Sequence, residues 1–304
     1  MMNKLEKKLL RKINDSKMEG AINIRKNGKL WKRKNTRYVT IKDRKDGKGI
    51  EIYVKAEAPF ALVDIPVLLT ESGLKDRVYN DFFIGRGAKV MIYAGCGINN
   101  CGQKDSLHHG IHRFLLGEDS SVKYIEKHYG EGIGEGKREI NPITEVVLEK
   151  NAKMEIETAQ IKGVDDTFRV TKAILKNNSS LIINEKIMTE GKQKATTDFE
   201  VKLKGKNSSC RVTSRAVATE NSEQKFTSNV VGSNKCFAHV ACDSIIKDNG
   251  KMAAIPKIKA KHSDAQLVHE ATIGKIAGEQ LVKLMSLGLS QKEAEEEIIR
   301  GFLE

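Results

Sequence analysis

The sequence predicts a mainly β protein whose core is a parallel β-helix, with a helix and a basic segment before it and a helical hairpin after it. Three observations support this prediction. From about residue 81 to 258, strand-like runs alternate with turn residues, a short motif recurs, and apolar residues alternate after each copy of the motif. A unit of this size cannot bury its apolar edge alone, so neighbouring units are expected to stack and share one core.

The recurring motif is a small residue, a variable residue and an apolar residue, preceded by turn formers such as Gly, Asp and Asn. Its copies lie 32, 32, 27, 29 and 26 residues apart: Ala88-Lys89-Val90, Ser120-Ser121-Val122, Ala152-Lys153-Met154, Ser179-Ser180-Leu181, Ser208-Ser209-Cys210 and, more loosely, Asn234-Lys235-Cys236. Strand alternation predicts that four sets of residues face inward. These sets are Val90/Ile92/Ala94, Met154/Ile156/Thr158, Cys210/Val212/Ser214 and Cys236/Ala238/Val240. An irregular antiparallel sandwich is the alternative fold, because it also has evenly spaced strands.

The chain before the repeats predicts three successive segments. Residues 2–18 have apolar side chains at helical spacing, residues 19–50 are basic and suit short peripheral strands, and residues 51–80 lead into the core. The predicted organisation is an N-terminal segment 1–80, a β-helix core 81–258 and a helical subdomain 259–304.

The C-terminal subdomain is predicted to be a hairpin of two helices. The stretch from His269 to Leu287 has the apolar stripe of an amphipathic helix, and Gly288 suits the position just after its last turn. Ser290 and Glu293 form a capping box, which predicts the start of the second helix.

Composition narrows the class of protein. No apolar run approaches the roughly 20 residues of a membrane span, and no apolar signal segment follows Met1, so a cytoplasmic protein is expected. The odd and sparse set of five cysteines predicts free thiols in a reducing compartment. The net charge of +13 raises the question of nucleic-acid binding, but aromatic residues make up only 5% of the chain, so a solvated basic face is favoured.

Two short motifs near the end of the chain are the main candidates for chemistry. Cys242-Asp243-Ser244 and His269-Glu270-Ala271 place a thiol, carboxylates and an imidazole close together in sequence, a mixture that suits iron, zinc or an iron–sulfur cluster. The alternatives are structural: Cys242 continues the inward set Cys236/Ala238/Val240, and His269-Glu270 could open a helix.

The remaining candidates are less specific. Cys96 and Cys101 frame a loop-like stretch that His108, His109 and His112 follow, but their spacing is not that of a zinc knuckle, so structural use is favoured. Cys210 and Cys236 occupy apolar positions of the motif and are predicted to be core residues. The run Gly130 to Lys137 lacks the residues of a phosphate loop and predicts a flexible loop, so the chain itself is not expected to be an ATPase.

The C-terminal motifs resemble the signature of the SufB/SufD family, the scaffold proteins of iron–sulfur cluster assembly. The resemblance covers roughly residues 80–304 and is closest to a compact archaeal form of the family. It rests on the two motifs above together with Ile273-Gly274-Lys275-Ile276, Glu279-Gln280-Leu281 and Gly288-Leu289-Ser290 through Gly301-Phe302. It implies a right-handed β-helix, in agreement with the repeats.

The resemblance also implies the site and the partners. It assigns cluster building to Cys242 and an essential acidic role to Glu270. From the residues themselves, His269 is a third candidate, and Cys96, Cys101 and Cys236 are secondary ones. It implies a transient [4Fe-4S] or [2Fe-2S] cluster and a homodimer formed through the β-helix end. It further implies recipient apoproteins and a SufC-type ABC ATPase that docks on the hairpin 269–300.

One departure from the family pattern concerns the source of sulfur. Where SufB members that receive sulfur from a cysteine desulfurase have a cysteine, this chain has His128. Free sulfide, or entry of sulfur at another thiol, therefore becomes the alternative. The rival functions are a β-helix enzyme that acts on polysaccharide and a basic nucleic-acid-binding module.

Overall fold

Two sheets of ten strands each run along the molecule, and successive strands of the core alternate between them. The computed structural model describes residues 2–304. Strands account for 58% of the chain and form a parallel solenoid of about eight turns, which confirms the predicted fold class. The strands are β1 (Ala21–Lys26), β2 (Lys29–Lys34), β3 (Val39–Asp43), β4 (Gly49–Val54), β5 (Ala61–Leu69), β6 (Lys75–Ile84), β7 (Lys89–Asn99), β8 (Ser106–Leu116), β9 (Ser121–Glu131), β10 (Arg138–Ile140), β11 (Ile143–Leu148), β12 (Lys153–Lys162), β13 (Asp166–Leu175), β14 (Ser180–Thr189), β15 (Lys194–Leu203), β16 (Ser208–Ala218), β17 (Glu223–Gly232), β18 (Cys236–Ile246), β19 (Lys251–Ala260) and β20 (Ala265–Gly274).

The order of strands within each sheet gives the solenoid two ends. The first sheet runs β2-β1-β5-β7-β9-β12-β14-β16-β18-β20, and the second runs β3-β4-β6-β8-β10-β13-β15-β17-β19, with β11 also pairing between β8 and β13. The pairs β1–β2 and β3–β4 are antiparallel, and the ladders from β5 and β6 onward are parallel. Strands β2 and β3 therefore lie at the N-terminal end, and β19 and β20 lie at the C-terminal end.

The recurring motif marks the in-register start of five consecutive strands of the first sheet, β7, β9, β12, β14 and β16. Val90, Val122, Met154, Leu181 and Cys210 are successive ladder partners, and all are buried. The predicted sixth copy, Asn234-Lys235-Cys236, lies two residues before the position that is in register. Ala238 pairs with Cys210, whereas Cys236 pairs with Ser208. The four sets predicted to face inward are buried in the main core cluster or beside it, as expected.

A ladder of hydrogen bonds between turns explains the Asn and Asp residues that precede the motif. Asp119, Asn151, Asn178 and Asn207 all have positive φ, between 56° and 60°. The amide of Asn151 donates to Asp119 at 2.7 Å, that of Asn178 donates to Asn151 at 3.1 Å, and that of Asn207 donates to Asn178 at 3.2 Å. Asn and Asp tolerate the left-handed conformation better than other non-glycine residues, so the same residues shape the turns and connect them.

The glycine-rich run that was expected to be a flexible loop is packed against the preceding turn. A Cβ atom at Gly132 would lie 2.1 Å from the carbonyl oxygen of Asn100, and one at Gly134 would lie 2.3 Å from that of Gly102. The buried amide of Asn100 donates to the carbonyl oxygen of Gly136 at 3.0 Å. The alternating glycines therefore allow two backbones to approach closely, a role that the comparison with a phosphate loop did not suggest.

Helices flank the solenoid. Helix α1 (Lys4–Ile13) is shorter than predicted and begins with a capping box between Asn3 and Glu6, and it buries Leu9 and Ile13. Helix α2 (Gly278–Ser286) ends just before Gly288, which has a φ of +99°. Helix α3 (Gln291–Leu303) has the predicted capping box, buries Ala294 and Leu303, and accepts a hydrogen bond from Arg215 at the carbonyl oxygen of Phe302 (3.2 Å).

The prediction of a helix from 269 to 287 is wrong for its first part, because residues 265–274 form strand β20. Pairing with β18 along ten residues supplies backbone hydrogen bonds that override the helical spacing of the apolar residues. The division at 80 and 258 stays a prediction; residue 80 lies within β6 and residue 258 within β19, both strands of the second sheet.

The turn ladder gives a test of the fold. Replacing Asn178 with Ala removes two hydrogen bonds between turns. It also leaves alanine in the left-handed region, which alanine tolerates less well than asparagine. We expect the free energy of unfolding to fall by about 1–2 kcal/mol in urea denaturation. Asn178→Gly is the matched control, since it loses the same hydrogen bonds without the backbone penalty and should cost less. An equal loss in both variants would show that the positive φ contributes nothing.

Candidate functional site

The register between the last two strands of the first sheet decides which candidate residues meet. Cys242 on β18 pairs with Ala271 on β20, and the preceding pairs are Ala241 with Glu270 and Val240 with His269. Alternate residues of a strand face opposite sides of the sheet. Cys242 is fully buried in the core, whereas 66% of the Glu270 side chain is exposed on the outer face. The structure therefore places the thiol and this carboxylate on opposite faces.

His269 is the candidate that shares the inner face with Cys242, one diagonal position away on the neighbouring strand. Its Nδ1 lies 3.3 Å from the hydroxyl of Ser228, and its Nε2 is buried and has no hydrogen-bond partner among residues 2–304. Burial, helped by the nearby His239, lowers the pKa of His269, which favours the neutral imidazole. A neutral imidazole with a free nitrogen is the form that binds metals.

The Cys242 thiol is protonated at neutral pH. Burial raises its pKa to about 11, and the hydroxyl of Ser244, 3.9 Å from the sulfur, only partly offsets this effect. A thiol binds metal as the thiolate, so metal binding here must displace a proton. Thiolate sulfur together with imidazole nitrogen is a donor set that suits iron, zinc and iron–sulfur clusters.

Glu270 belongs to a separate group on the outer face. Its carboxylate lies 3.3 Å from Nε2 of His239, a residue two positions before Ala241 on the adjacent strand. Because the carboxylate is largely exposed, the pair contributes at most about 1 kcal/mol to stability. The Glu270 carboxylate can therefore exchange this partner at little cost.

A column of polar residues on the inner face leads to Cys242, and the sequence analysis missed it. Five successive strands of the first sheet, β9, β12, β14, β16 and β18, each contribute one ladder partner to this column: Glu126, Thr158, Glu185, Ser214 and Cys242. All five are buried, and the hydroxyl of Ser214 donates to Glu185 at 2.9 Å. The alternation of inward and outward residues along each strand could have revealed this column, because it predicts that Glu126 and Glu185 face inward.

A hydrogen-bonded cluster surrounds the start of this column. The carboxylate of Glu126 accepts from the hydroxyl of Tyr124 at 3.0 Å and lies 3.5 Å from Nε2 of His112 and 3.4 Å from Nε2 of His128. Its second oxygen accepts from Arg169 at 3.0 Å. Burial opposes the ionised form, but His128, Arg169 and His112 outweigh it, so the pKa of Glu126 is lowered well below its usual value.

Arg169 links the two buried carboxylates. It contacts Glu126 at 3.0 Å and Glu185 at 3.3 Å, and its Nη2 lies 3.1 Å from Nδ1 of His128. Since a guanidinium only donates, Nδ1 of His128 must accept, and the ring proton lies on Nε2 facing Glu126. Burial keeps the pKa of Glu185 raised despite Arg169.

The other cysteines are dispersed. Cys210 and Cys236 are buried, as expected for core residues, and burial raises the pKa of Cys210 to about 12. Cys96 is also buried and pairs with His128, whereas Cys101 is exposed. The structure thus separates Cys96 from Cys101.

Across residues 2–304, no three or more His, Cys, Asp or Glu side chains are grouped so that they could hold a metal ion. No helix in the same range is both long and apolar enough to cross a membrane.

The comparisons with known proteins decide the family. Residues 82–302 match the family model described as SUF system FeS cluster assembly, SufBD core domain. The chain belongs to the SufBD family. Over 261 residues it is 30% identical to an iron–sulfur cluster assembly SufBD family protein of Pyrococcus horikoshii, covering 84% of this chain and 76% of the relative.

Two further relatives show how the similarity extends within the family. An iron–sulfur cluster assembly SufBD family protein of Archaeoglobus fulgidus is 26% identical over 281 residues, which cover 91% of this chain and 73% of the relative. The iron–sulfur cluster assembly protein SufB of Bacillus subtilis is 29% identical over 163 residues, which cover 52% of this chain and 35% of that protein. Membership of this family supports a role in iron–sulfur cluster assembly.

The buried histidines of this SufBD protein predict a loss of stability in acid. Burial lowers the pKa of His112 from 6.5 to about 4. Between these values the unfolded chain binds a proton that the folded chain excludes, so stability is full above pH 6.5 and falls as the pH drops toward 4. From this residue alone we expect a loss of about 3 kcal/mol in the free energy of unfolding.

Urea denaturation at intervals from pH 7 to pH 4.5 measures this loss. His112→Gln, which keeps a hydrogen-bond donor, should flatten the pH dependence. His262→Gln changes an exposed histidine on the last turn and serves as the control. An unchanged slope in His112→Gln would contradict the assignment.

Proposed function

We propose that this chain is a scaffold on which iron and sulfide are held transiently during iron–sulfur cluster assembly, and that it does not itself turn over a substrate. Iron and sulfide are its cargo, and the cluster formed is a [4Fe-4S] or [2Fe-2S] species passed to recipient apoproteins in the cytoplasm. Family membership supports the general role. The arrangement of Cys242 and His269 supports the finer assignment.

The observation that carries the proposal is the inner face of the last turn. A thiol and an imidazole nitrogen without a partner face the same interior, one strand away from the C-terminal end. They supply the sulfur and nitrogen donors, and Glu270 supplies an exchangeable oxygen from the outer face. Fewer than four strong ligands from one chain suits a scaffold, because a cluster held by a complete ligand set is not readily released.

A second copy of the chain can complete the ligand set. Strands β19 and β20 are the last strands of the two sheets, and no strand of residues 2–304 pairs with their outer edges. Unpaired edges are templates for pairing with another chain. We propose a homodimer joined through this end, in which a two-fold axis brings two copies of Cys242 and two of His269 to one interface.

Helix α2 is the surface proposed for the SufC-type ABC ATPase. None of its residues is buried, and Val282 within it and Leu287 just after it are 67% and 73% exposed. The helix begins only four residues after β20 ends at Gly274. Movement of α2 on the partner ATPase would therefore pull on β20 and open the turn that covers Cys242. ATP hydrolysis belongs to the partner in this scheme.

Sulfur is proposed to arrive as sulfide. His128 stands where the resemblance led us to expect a cysteine, and it is 4% exposed and hydrogen-bonded into the Glu126 cluster. An imidazole cannot carry a persulfide, so a relay through this position is not available to the chain. Cluster formation with sulfide, compared with and without a desulfurase, separates the two sources.

Anaerobic reconstitution with iron and sulfide tests the site through visible absorption. We expect Cys242→Ala to lose most of the cluster absorbance and His269→Ala to lower it several-fold, because both remove inner-face donors. Glu270→Ala should lower it less. Cys101→Ala removes an exposed thiol and is the matched control, with loading as in the wild type.

Two results would count against this site. Wild-type loading in both Cys242→Ala and Glu270→Ala would move the assignment to Cys96 and Cys101. Full loading in His269→Ala together with none in Glu270→Ala would place the iron on the outer face.

The docking surface is tested by placing a charge on α2. We expect Val282→Glu to weaken binding of a SufC-type ATPase at least tenfold in calorimetric titration, because an apolar contact worth about 1.5 kcal/mol is lost and a carboxylate is buried. Phe168→Glu is the control, since Phe168 is also half exposed (46%) but lies on the second sheet. Equal affinity for Val282→Glu and the wild type would remove α2 from the interface.

A further inference from the structure

Almost all of the net charge of the chain lies in its first 48 residues. This segment contains 17 Lys and Arg and five Asp and Glu, so it accounts for +12 of the total of +13. The rest of the molecule is close to neutral. A single-sign field confined to one region attracts ligands of the opposite charge and is the electrostatic footprint of polyanion binding.

The fold places the part of this charge that lies on β1 to β4 and their turns at the N-terminal end of the solenoid, opposite the end that holds Cys242, whereas α1 packs on β5, β7 and β9. Strands β2 and β3 are the outermost strands there, one in each sheet. Six cations between residues 29 and 48 are exposed and have no carboxylate within 4.0 Å among the described residues: Lys29, Lys32, Lys34, Arg37, Lys45 and Lys48. They are therefore available to neutralise an external anion.

Aromatic rings lie among these cations. Trp31 on β2 is 41% exposed. On the second sheet, Tyr53 stacks on Phe83 with ring centres 4.8 Å apart, and Nζ of Lys42 lies 4.6 Å from the centre of the Tyr53 ring. Nearby, the guanidinium of Arg44 lies 4.9 Å from the centre of the Tyr79 ring. The low aromatic content argued against nucleic acid in the sequence analysis, but the fold concentrates rings where the charge is.

Edge protection, membrane binding and protein binding each fit this surface less well than nucleic acid does. Lysines on the edge strand β2 protect it from pairing with other chains, but that role does not require exposed aromatic rings. A membrane surface would need a continuous apolar patch, whereas four of the six residues of β2 are Lys or Arg. Protein interfaces are depleted in lysine, which dominates here.

We propose that the N-terminal end of the solenoid binds single-stranded nucleic acid, with phosphates on the lysines of β2 and the β3–β4 turn and a base stacked on Trp31. Phosphate contacts supply affinity without sequence preference, and stacking on aromatic rings favours unpaired bases. The surface lies at the opposite end of the molecule from Cys242, so the inference does not depend on the proposed scaffold function.

Fluorescence anisotropy of the full chain with a fluorescein-labelled 30-nucleotide oligo(U), from 50 to 300 mM NaCl, tests the proposal. We expect salt-dependent binding. The triple variant Lys29→Glu, Lys32→Glu, Lys45→Glu should lose at least tenfold in affinity and show a shallower salt dependence. Trp31→Ala should lose roughly fivefold or more, the effect of one lost stacking contact, and Trp31→Phe should restore most of the affinity.

The matched control is a triple variant of equal charge change on and beside the outer face of the second sheet: Lys172→Glu, Lys192→Glu, Lys225→Glu. It should bind like the wild type, and circular dichroism should show that all variants are folded. The proposal fails if the oligonucleotide does not bind at 50 mM NaCl, if both triple variants lose equally, or if Trp31→Ala has no effect. It also fails if a 30-base-pair duplex binds as tightly as the single strand does, or if the protein binds vesicles with 30% phosphatidylserine but not the oligonucleotide.

Discussion

In-register parallel pairing is the constraint on which the rest of this structure depends. In a parallel ladder each residue has its neighbours at the same position one turn earlier and one turn later, and alternate residues face inside or outside. The same rule stacks Val90 on Val122 in the core and Glu126 on Thr158 in the polar column. A functional group in such a fold is therefore placed by register and parity, and a shift of one residue would reverse its face.

Register also explains what could be predicted from sequence. The motif and its spacing identified the strands of the first sheet and the buried sets within them, because burial on one face leaves a period of two in the sequence. The position of β20 was missed, since its residue Ile273 also suits the helical stripe that continues through Ile276 and Leu281. That error placed His269 and Glu270 at a helix start, where nothing shows that one faces the thiol and the other faces away.

The buried charge cluster is not explained by stability. Ion pairs as buried as Glu126, Arg169 and Glu185 rarely stabilise a protein more than apolar residues of similar size would, because their desolvation cost is large. The polar atoms of Thr158 and Gln160 also lack partners among the described residues. Buried polar groups of this kind are usually satisfied by internal water. The column that ends at Cys242 thus adds a polar row beside an apolar core, and only spatial pairing reveals it.

The burial of Cys242 fits a transient site because of where the thiol is buried. The strand next to it on the C-terminal side is β20, an edge strand whose residues are all exposed or half buried. Local opening costs least where few apolar contacts and few hydrogen bonds must break, and a terminal strand paired on one side meets that condition. The same strand continues within four residues into α2, the least covered helix. A partner that moves α2 needs to displace only this one strand to expose the thiol, whereas reaching Cys210, which lies under β18 as well, would require opening a second turn.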